Sequence, residues 1–527
     1  MLLDVELSRR GANCLDDAIA TLCGWHKSRY ELMFSRSLDF VFDSERKELD
    51  IGERIYADYS DEYMPLLEKY HGHRFESHMN QPIDLFLPLL QEQLSAGKPL
   101  FVSLDSYWIP WDPKYQRVHH VGHALLGVGF DPLGQSLFAS DPFFEKKALG
   151  IPFDHLRQGY RGCVTVDVPK QPNQDWDDIV DSLSEPLKLW LCTKGPSRSI
   201  AAFAEEIGAL TYVHEEKPAF EMLGESPIFA NLGKVLNGRN NYGSMLHYVD
   251  ELTKDGRFRP IAEEIRRISF QWASIRGLAV KMLIAEDASM HAKLKESAMT
   301  RLLELADKEA LLMERLVELF RRRSAPILAA TADSRVEVET IVAATAEHAT
   351  VWHPDLRPHM NGKAFGNGNR DADFDLSGFY YSDLPRPTDD FVLFEGIPFK
   401  LDQAPETEYD NVSCRGQGVE MEGRQGRCLA ILGNAEMGSY LDELVVEYED
   451  GTKSRMDFGF SDWWAYRPVN GETIAWKGRI AHQQHGLIGH EGSLYLSRFP
   501  LTPGKSIERV VLPVQPNLHL FAMTLLD

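Results

Sequence analysis

Residues 118–143 read VHHVGHALLGVGFDPLGQSLFASDPF. Two apolar, β-prone runs flank a turn, which is the pattern of a hairpin. Pro132 suits the first turn position because its ring fixes φ, and Gly134 suits a left-handed one. Together they predict a three-residue loop with a glycine bulge. In that register Asp131 opposes Gln135, Leu125 opposes Asp141 and His123 opposes Phe143. His123 and Asp141 then share one face as diagonal neighbours, with Cβ atoms about 7–8 Å apart. An imidazole so placed is held by the carboxylate through one nitrogen and serves a nucleophile through the other. His119 shares that face four residues further out, and His120 lies on the other. A plainer reading of the same letters is also open. In it Asp141-Pro142 is only a turn signal, and His119, His120 and His123 are surface or core residues.

A partner for His123 is found upstream, in residues 11–25, GANCLDDAIATLCGW. Leu15, Ile19, Leu22 and Cys23 fall at helical spacing, and Gly24 is a plausible terminator. Asn13 is a good N-cap, with Asp16 in capping-box position. Cys14 is then the first helical residue, where free N–H groups and the helix dipole favour a thiolate. Asp16 and Asp17 oppose a further negative charge, so the thiol needs a cationic partner. The alternative is a buried structural cysteine.

The 527 residues suggest two to four domains. With 56 Lys and Arg against 79 Asp and Glu, the net charge of −23 argues against non-specific binding of nucleic acid or an anionic membrane. Arg9-Arg10 and Arg321-Arg322-Arg323 are local basic clusters that read as solvated surface. Cys14, Cys23, Cys163, Cys192, Cys414 and Cys428 show neither a C-x-x-C pair nor paired histidine spacing. No zinc site, metal or cofactor is therefore expected. A large chain of scattered cysteines, with Asp4, Glu6, Arg9 and Arg10 in place of an apolar leader, reads as reduced and cytoplasmic. No apolar run reaches the ~18 residues of a membrane span.

Working outward from the two motifs, residues 1–170 mix helix and strand patterns. A polar, proline-bearing linker follows at 168–175. Residues 178–350 read as helical. Ala288 to Arg323 lacks Pro and Gly and reads as one long helix or two with a kink. Phe258 to Asp287 carries Ile261, Ile265, Ile268, Trp272 and Ile275 on one stripe, the mark of a core face. A turn-rich second linker spans His353 to Arg370. Residues 374–527 carry short β-runs, with a hairpin signal at Glu449-Asp-Gly-Thr452, and predict a β-sandwich. The expected fold class is multi-domain α+β: a papain-like α/β domain at 1–170, a helical region at 178–350 and a β-sandwich at 374–527.

The order Cys on an N-terminal helix, His on a strand, Asp on the next strand resembles that of papain-like acyl-transfer and peptidase domains. Within these, the chain resembles the butirosin biosynthesis protein H family. The resemblance is carried by Asn13-Cys14, Asp105-Ser-Tyr-Trp-Ile-Pro110, His119-His-Val-Gly-His123 with Gly127-Val-Gly-Phe-Asp131, and Ser140-Asp-Pro-Phe143. It covers residues 1 to about 350. It implies transfer of an acyl group from a thioester donor, such as a phosphopantetheinyl carrier protein, to a small amine acceptor in natural-product biosynthesis. In that role Cys14 carries the acyl group, His123 is base and acid, and Asp141 orients His123. Papain-like enzymes place an oxyanion-donating Gln six residues before the cysteine. Ser8 stands there in this chain, leaving the Cys14 N–H and Asn13 as candidate donors. Tyr107, Trp108 and Trp111 are candidates to line the acyl or acceptor pocket, or else pack a surface loop.

The C-terminal region resembles accessory β-sandwich modules of carbohydrate-active enzymes. The resembling residues are Gly396-Ile-Pro-Phe399, Asn411-Val-Ser-Cys414, Tyr448-Glu-Asp-Gly-Thr452 and Ser461-Asp-Trp463. Trp463, Trp464 and Tyr466 suit sugar or acceptor recognition by stacking on apolar ligand faces, but a structural or oligomerisation module is the preferred reading, because strand-end tryptophans most often pack a core. Two other functions stay open for the chain: a peptidase, amide or thioester hydrolase using Cys14, His123 and Asp141, and a non-catalytic binding scaffold.

Overall fold

The computed structural model describes residues 2–8, 13–57, 60–131, 133, 135–168, 176–193, 195–212, 226–254, 256–285, 287–321, 351–366, 372–385, 391–401, 409–465 and 467–527. Arg9-Arg10, the linker from 169 to 175, Pro132, Gly134, Arg322-Arg323, residues 367–370 and Tyr466 lie outside them. The chain divides into two compact units. One comprises Met1–Leu38, Asp58–Pro186 and Asn241–Ala262, the other Asp39–Ala57, Leu187–Asn240 and Glu263–Asp527.

The first unit is built on a six-stranded antiparallel sheet. Its strands are β1 (Arg74–Met79), β2 (Leu100–Leu104), β3 (His123–Asp131), β4 (Ser136–Asp141), β5 (Lys146–Pro152) and β6 (Tyr160–Asp167). They lie in the order β1-β6-β2-β3-β4-β5. β3 is an interior strand, and Leu125, Leu126 and Val128 on it are fully buried. Helix α1 (Cys14–Trp25) packs on β3 through a face that buries Ala18, Ile19 and Leu22. Helices α2 (Ser60–His71) and α3 (Ile83–Ser95) add Leu67 and, from α3, Phe86, Leu90 and Leu94 to the core. Each such side chain contributes about 1.5–3 kcal/mol by leaving water.

The β3–β4 hairpin differs from the three-residue expectation. Asp131 pairs with Ser136, not Gln135, so the loop holds four residues, with Gln135 at φ 46°. The ladder then shifts between Gly127 and Gly129, leaving Val128 as an extra residue. Below that bulge Leu126 opposes Ser140, the register in which Leu125 faces Asp141. Two one-residue irregularities cancel. The extra residue belongs in the strand, where the Val128 carbonyl also accepts from Leu3 N at 2.8 Å.

Among the described residues, five helices occupy the middle of the chain: α5 (Trp176–Thr193), α6 (Gly195–Ala209), α7 (Pro227–Thr253), α8 (Phe258–Leu283) and α9 (Ala288–Arg321), with the shorter α4 (Phe153–Gly159) ahead of them in the first unit. The Ile261, Ile265, Ile268, Trp272 and Ile275 stripe of α8 is buried throughout, as a core face should be. In the second unit Arg239 is fully buried and pairs with Glu309 of α9 through Nε (3.0 Å) and Nη2 (2.8 Å). Trp272 Nε1 donates to the same carboxylate at 2.7 Å. None of the described helices is long and apolar enough to cross a membrane.

The C-terminal region is a β-sandwich. Its strands are β7 (Val351–Trp352), β8 (Phe379–Tyr381), β9 (Val412–Arg415), β10 (Gly418–Arg424), β11 (Cys428–Ala435), β12 (Tyr440–Tyr448), β13 (Lys453–Phe460), β14 (Thr473–His482), β15 (Gly486–Pro500), β16 (Ile507–Val511) and β17 (Val514–Leu526). One sheet runs β8-β14-β15-β11-β17-β9, with β7 also on β17, and the other β10-β16-β12-β13. Their inner faces meet in a core that includes Val419, Leu429, Ile431, Leu444, Val446, Phe458 and Leu520. The Glu449–Thr452 turn joins β12 to β13 with Glu447 opposite Lys453 and Gly451 at φ 78°. One boundary needs correction. The described part of the expected second linker belongs to the sandwich, because Val351–Trp352 pairs with β17 and Leu356, Ala364 and Phe365 are buried. Its apolar residues are too sparse among turn formers to announce a strand or a core segment.

Candidate active site

Helix α1 begins as its sequence dictates. Asn13 is extended (φ −158°, ψ 171°), and its side-chain oxygen accepts from Asp16 N at 2.8 Å. Cys14 is therefore the first helical residue, and it is only half-buried. The helix runs one residue past Gly24, and the left-handed residue beyond it is Lys27, at φ 52°. Asp16 and Asp17 are fully buried, and Asn241 Nδ2 donates to Asp16 Oδ2 at 2.7 Å.

His123 opens β3 and is buried. Its Nε2 lies 2.8 Å from Asp141 Oδ2, and Asp141, at the end of β4, is completely buried. A carboxylate only accepts, so Nε2 carries the proton and Nδ1 is left for another group. Cys14 is also a hydrogen-bonding partner of this imidazole. Burial opposes a charge on His123. The bonds to Asp141 and Cys14 and the negative charge of both outweigh it and raise the imidazole to about 10. The ring is flanked by Phe143 and Phe144, with centroids at 6.1 and 5.4 Å. A thiol at a helix start thus faces a charged imidazole that is itself held by a buried carboxylate. This arrangement can form and release a covalent bond at sulfur.

The structure brings together Cys14, His123 and Asp141, and adds Trp111. Trp111 Nε1 donates to Asp141 Oδ2 at 2.8 Å. Its indole N–H is thus engaged with the third member of the site, which the sequence expectation of a pocket wall does not include. Tyr107 stacks on His119, with centroids 4.2 Å apart and planes 11° apart. Trp108 packs against Gly159, where a Cβ would come within 2.9 Å of it, and against His155. Ser8 is tied by its backbone to Thr21, through Ser8 N (2.9 Å) and O (3.1 Å). That holds Ser8 beside a residue two helical turns, about 10 Å, from Cys14.

Sequence reasoning also missed a second histidine–aspartate pair. Asp105 is buried, and its Oδ2 lies 2.8 Å from His119 Nδ1 and 3.3 Å from Arg161 Nη2. Its Oδ1 accepts from Tyr107 N at 3.2 Å and His120 N at 3.0 Å. Burial opposes ionisation of Asp105, but these bonds and the neighbouring His119 lower its pKa overall. His119 is therefore held apart from Asp141. The available signal was an aspartate directly after the apolar Leu100–Leu104 run, where a buried carboxylate requires donors.

At the far end of α1 stands another cysteine–histidine pair. Buried Cys23 lies 3.9 Å from His73 Nδ1. Burial pushes the Cys23 thiol up to about 12, against a hydrogen bond from Ser28 and with the negative charge of Glu31. Burial, with His26 nearby, lowers His73 to about 4. Burial, with His73 and Arg29, lowers His71 to about 3. All six cysteines are free thiols. In the sandwich, Trp463 is in the core, while Trp464 stacks on His490 at 4.7 Å.

Among curated proteins none matches the sequence. A solved structure, a family GH115 4-O-methyl-alpha-glucuronidase with specificity for decorated arabinogalactans, aligns at 12% identity over 66% of this chain. The match spans 42% of that chain at a TM-score of 0.14, too slight a likeness to bear on the fold. Residues 356–527 match the model of the AziU2-like beta-sandwich domain, so this third of the chain is similar to that family, in agreement with its two packed sheets.

Proposed function

We propose that the first unit is a papain-like cysteine acyltransferase. In this reading Cys14 accepts an acyl group from a thioester donor, such as a phosphopantetheinyl carrier protein, and hands it to a small amine in natural-product assembly. The observation that carries it is Cys14 at a helix start, bonded to a His123 that Asp141 holds from the other side.

The Cys14 sulfur attacks the thioester carbonyl, and a C–S bond forms. The oxyanion meets the Cys14 N–H at the start of α1, Asp16 N being held by the Asn13 side chain. The donor's C–S bond breaks, and the departing sulfur takes the proton held on His123. The amine nitrogen then attacks the Cys14 thioester, and the now neutral His123 accepts the proton it sheds. The new C–N bond stays with the product, and the electron pair of the broken C–S bond returns to Cys14. Asp141 keeps Nε2 protonated through both halves, so the same nitrogen always faces the sulfur.

Incubation with an acyl-N-acetylcysteamine thioester, followed by intact mass measurement, tests this. An adduct of the acyl mass is expected, absent in Cys14→Ala and discharged faster by added amines than by buffer. Discharge by water alone at an amine-independent rate would make the enzyme a hydrolase. Absence of any adduct would remove the nucleophile assignment.

A further inference from the structure

We infer that Trp111 is a positioning residue of this site, its indole N–H sharing with His123 the one oxygen of Asp141 that fixes the imidazole. The inference rests on the acyl-transfer reading for its meaning, but not for its measurement.

Asp141 has no exposed surface, so its donors are those the fold provides. Oδ2 receives His123 Nε2 and Trp111 Nε1, each at 2.8 Å, and Oδ1 receives Phe144 N at 3.2 Å. Two donors on one oxygen divide its charge between them. An indole has a single N–H and no acceptor, so Trp111 can occupy that place in one sense only. With Trp111 and Phe144 both fixed, the carboxylate plane is set, and so is the direction in which it presents Oδ2 to His123.

Trp111 comes from the segment between β2 and β3, not from either hairpin strand. The root of that segment is fastened at Asp105, which holds Tyr107 N, His120 N and His119. Trp111 is its second buried-carboxylate anchor. The segment bearing the aromatic residues Tyr107, Trp108 and Trp111 is therefore hydrogen-bonded to the orienting member of the site. The titratable groups that face His123 are Cys14 from α1, Asp141 from β4 and, less closely, His120 from this same segment. Of the two neutral donors to the Asp141 carboxylate, Phe144 N comes from the turn that directly follows it, whereas Trp111 reaches it from the segment between β2 and β3.

Removing the indole donor leaves the full acceptor strength of Oδ2 to His123. Trp111→Phe should therefore make the imidazolium harder to deprotonate. The experiment is NMR titration of His123 in histidine-labelled full-length protein, paired with the pH–rate profile of Cys14 alkylation by iodoacetamide. In Trp111→Phe the His123 midpoint should rise by about half a unit or more, and the alkaline limb of alkylation should move with it. Trp111→His, which restores an N–H, should return part of the shift. The rise should persist in Cys14→Ala, because it acts through Asp141; the outcome thus stays readable even if Cys14 proves not to be a nucleophile. Incorporating fluorotryptophan, whose N–H is a stronger donor, should lower the midpoint without altering the fold, and covers the case in which Trp111→Phe does not fold. An unchanged midpoint in Trp111→Phe or with fluorotryptophan overturns the inference, as does a rise that disappears in Cys14→Ala.

Discussion

One helix carries two cysteine–histidine pairs, and they are opposites. Cys14 stands at the positive end of α1, half-exposed, against a histidine whose other nitrogen is held by a buried carboxylate. Cys23 stands in the last turn, buried, against His73, whose neighbour is another histidine, His71, with ring centroids 5.8 Å apart. The residue types are the same. The first imidazole is raised to about 10 and the second lowered to about 4, while the Cys23 thiol is pushed up to about 12. Proximity of sulfur and imidazole does not make a reactive pair. What separates the two is the carboxylate behind one histidine and the end of the helix at which each thiol sits.

The comparison can be broken most directly by removing each histidine. His123→Ala should slow iodoacetamide modification of Cys14 at pH 7 by roughly 100-fold or more, because the thiol loses its cationic partner and base together. His73→Ala should leave that rate within about twofold, and native Cys23 should stay unmodified throughout; peptide mapping by mass spectrometry reads both. Equal losses in the two variants would mean that the pairs are not different in kind. Asp141→Asn sharpens the same point with a smaller loss, about tenfold or more in acyl-adduct formation from a thioester mimic, since the amide can no longer hold the charged tautomer.

The second pair makes its own prediction through stability. His71 and His73 titrate near 3 and 4 in the folded chain, below the usual 6.5. The unfolded chain therefore binds protons that the folded chain cannot, between about pH 6.5 and 4. Their contribution is complete above 6.5 and declines as pH falls through that window. Urea midpoints measured from pH 7 to 4 should fall, and His73→Gln should flatten the slope. His123 has the reverse sign, its contribution being lost as pH rises toward 10. The smallest effect expected is that of His119→Ala, within about threefold on Cys14 alkylation, because His119 is bound to Asp105 and not to Asp141.

Local signals were the readable ones. The Asn13 cap, the α8 stripe and the Glu449–Thr452 hairpin each depend on neighbours within a few positions, and the structure has these elements. The opposition of Leu125 and Asp141 fits the observed ladder only because a longer loop and the Val128 bulge offset each other, and no pattern in the letters distinguishes that case from a shorter loop. Apart from the Cys14–His123 pairing, which the family resemblance implied, what depends on the path of a loop or on distant segments was not legible. Trp111 reaches Asp141 across 30 positions and Asn241 reaches Asp16 across 225. Compact units assembled from interleaved segments leave no composition boundary to read.

The buried Arg239–Glu309 pair has a consequence for how the longest helix finds its place. Helix α9 spans 34 residues and buries Leu294, Ala298, Leu302, Leu305, Leu312, Leu316 and Phe320 along its length. A slip by one turn would carry Glu309 about 5.4 Å from Arg239, leaving a guanidinium without its counter-charge in the interior. Breaking such a pair costs about 3–5 kcal/mol. The ion pair thus helps to fix one alignment of the helix, as does the Arg301–Asp442 bridge at 2.7 Å. Replacing both partners by Met and Leu should leave thermal stability within a few degrees while broadening the NMR methyl spectrum of α9, the sign of a helix that samples more than one seat.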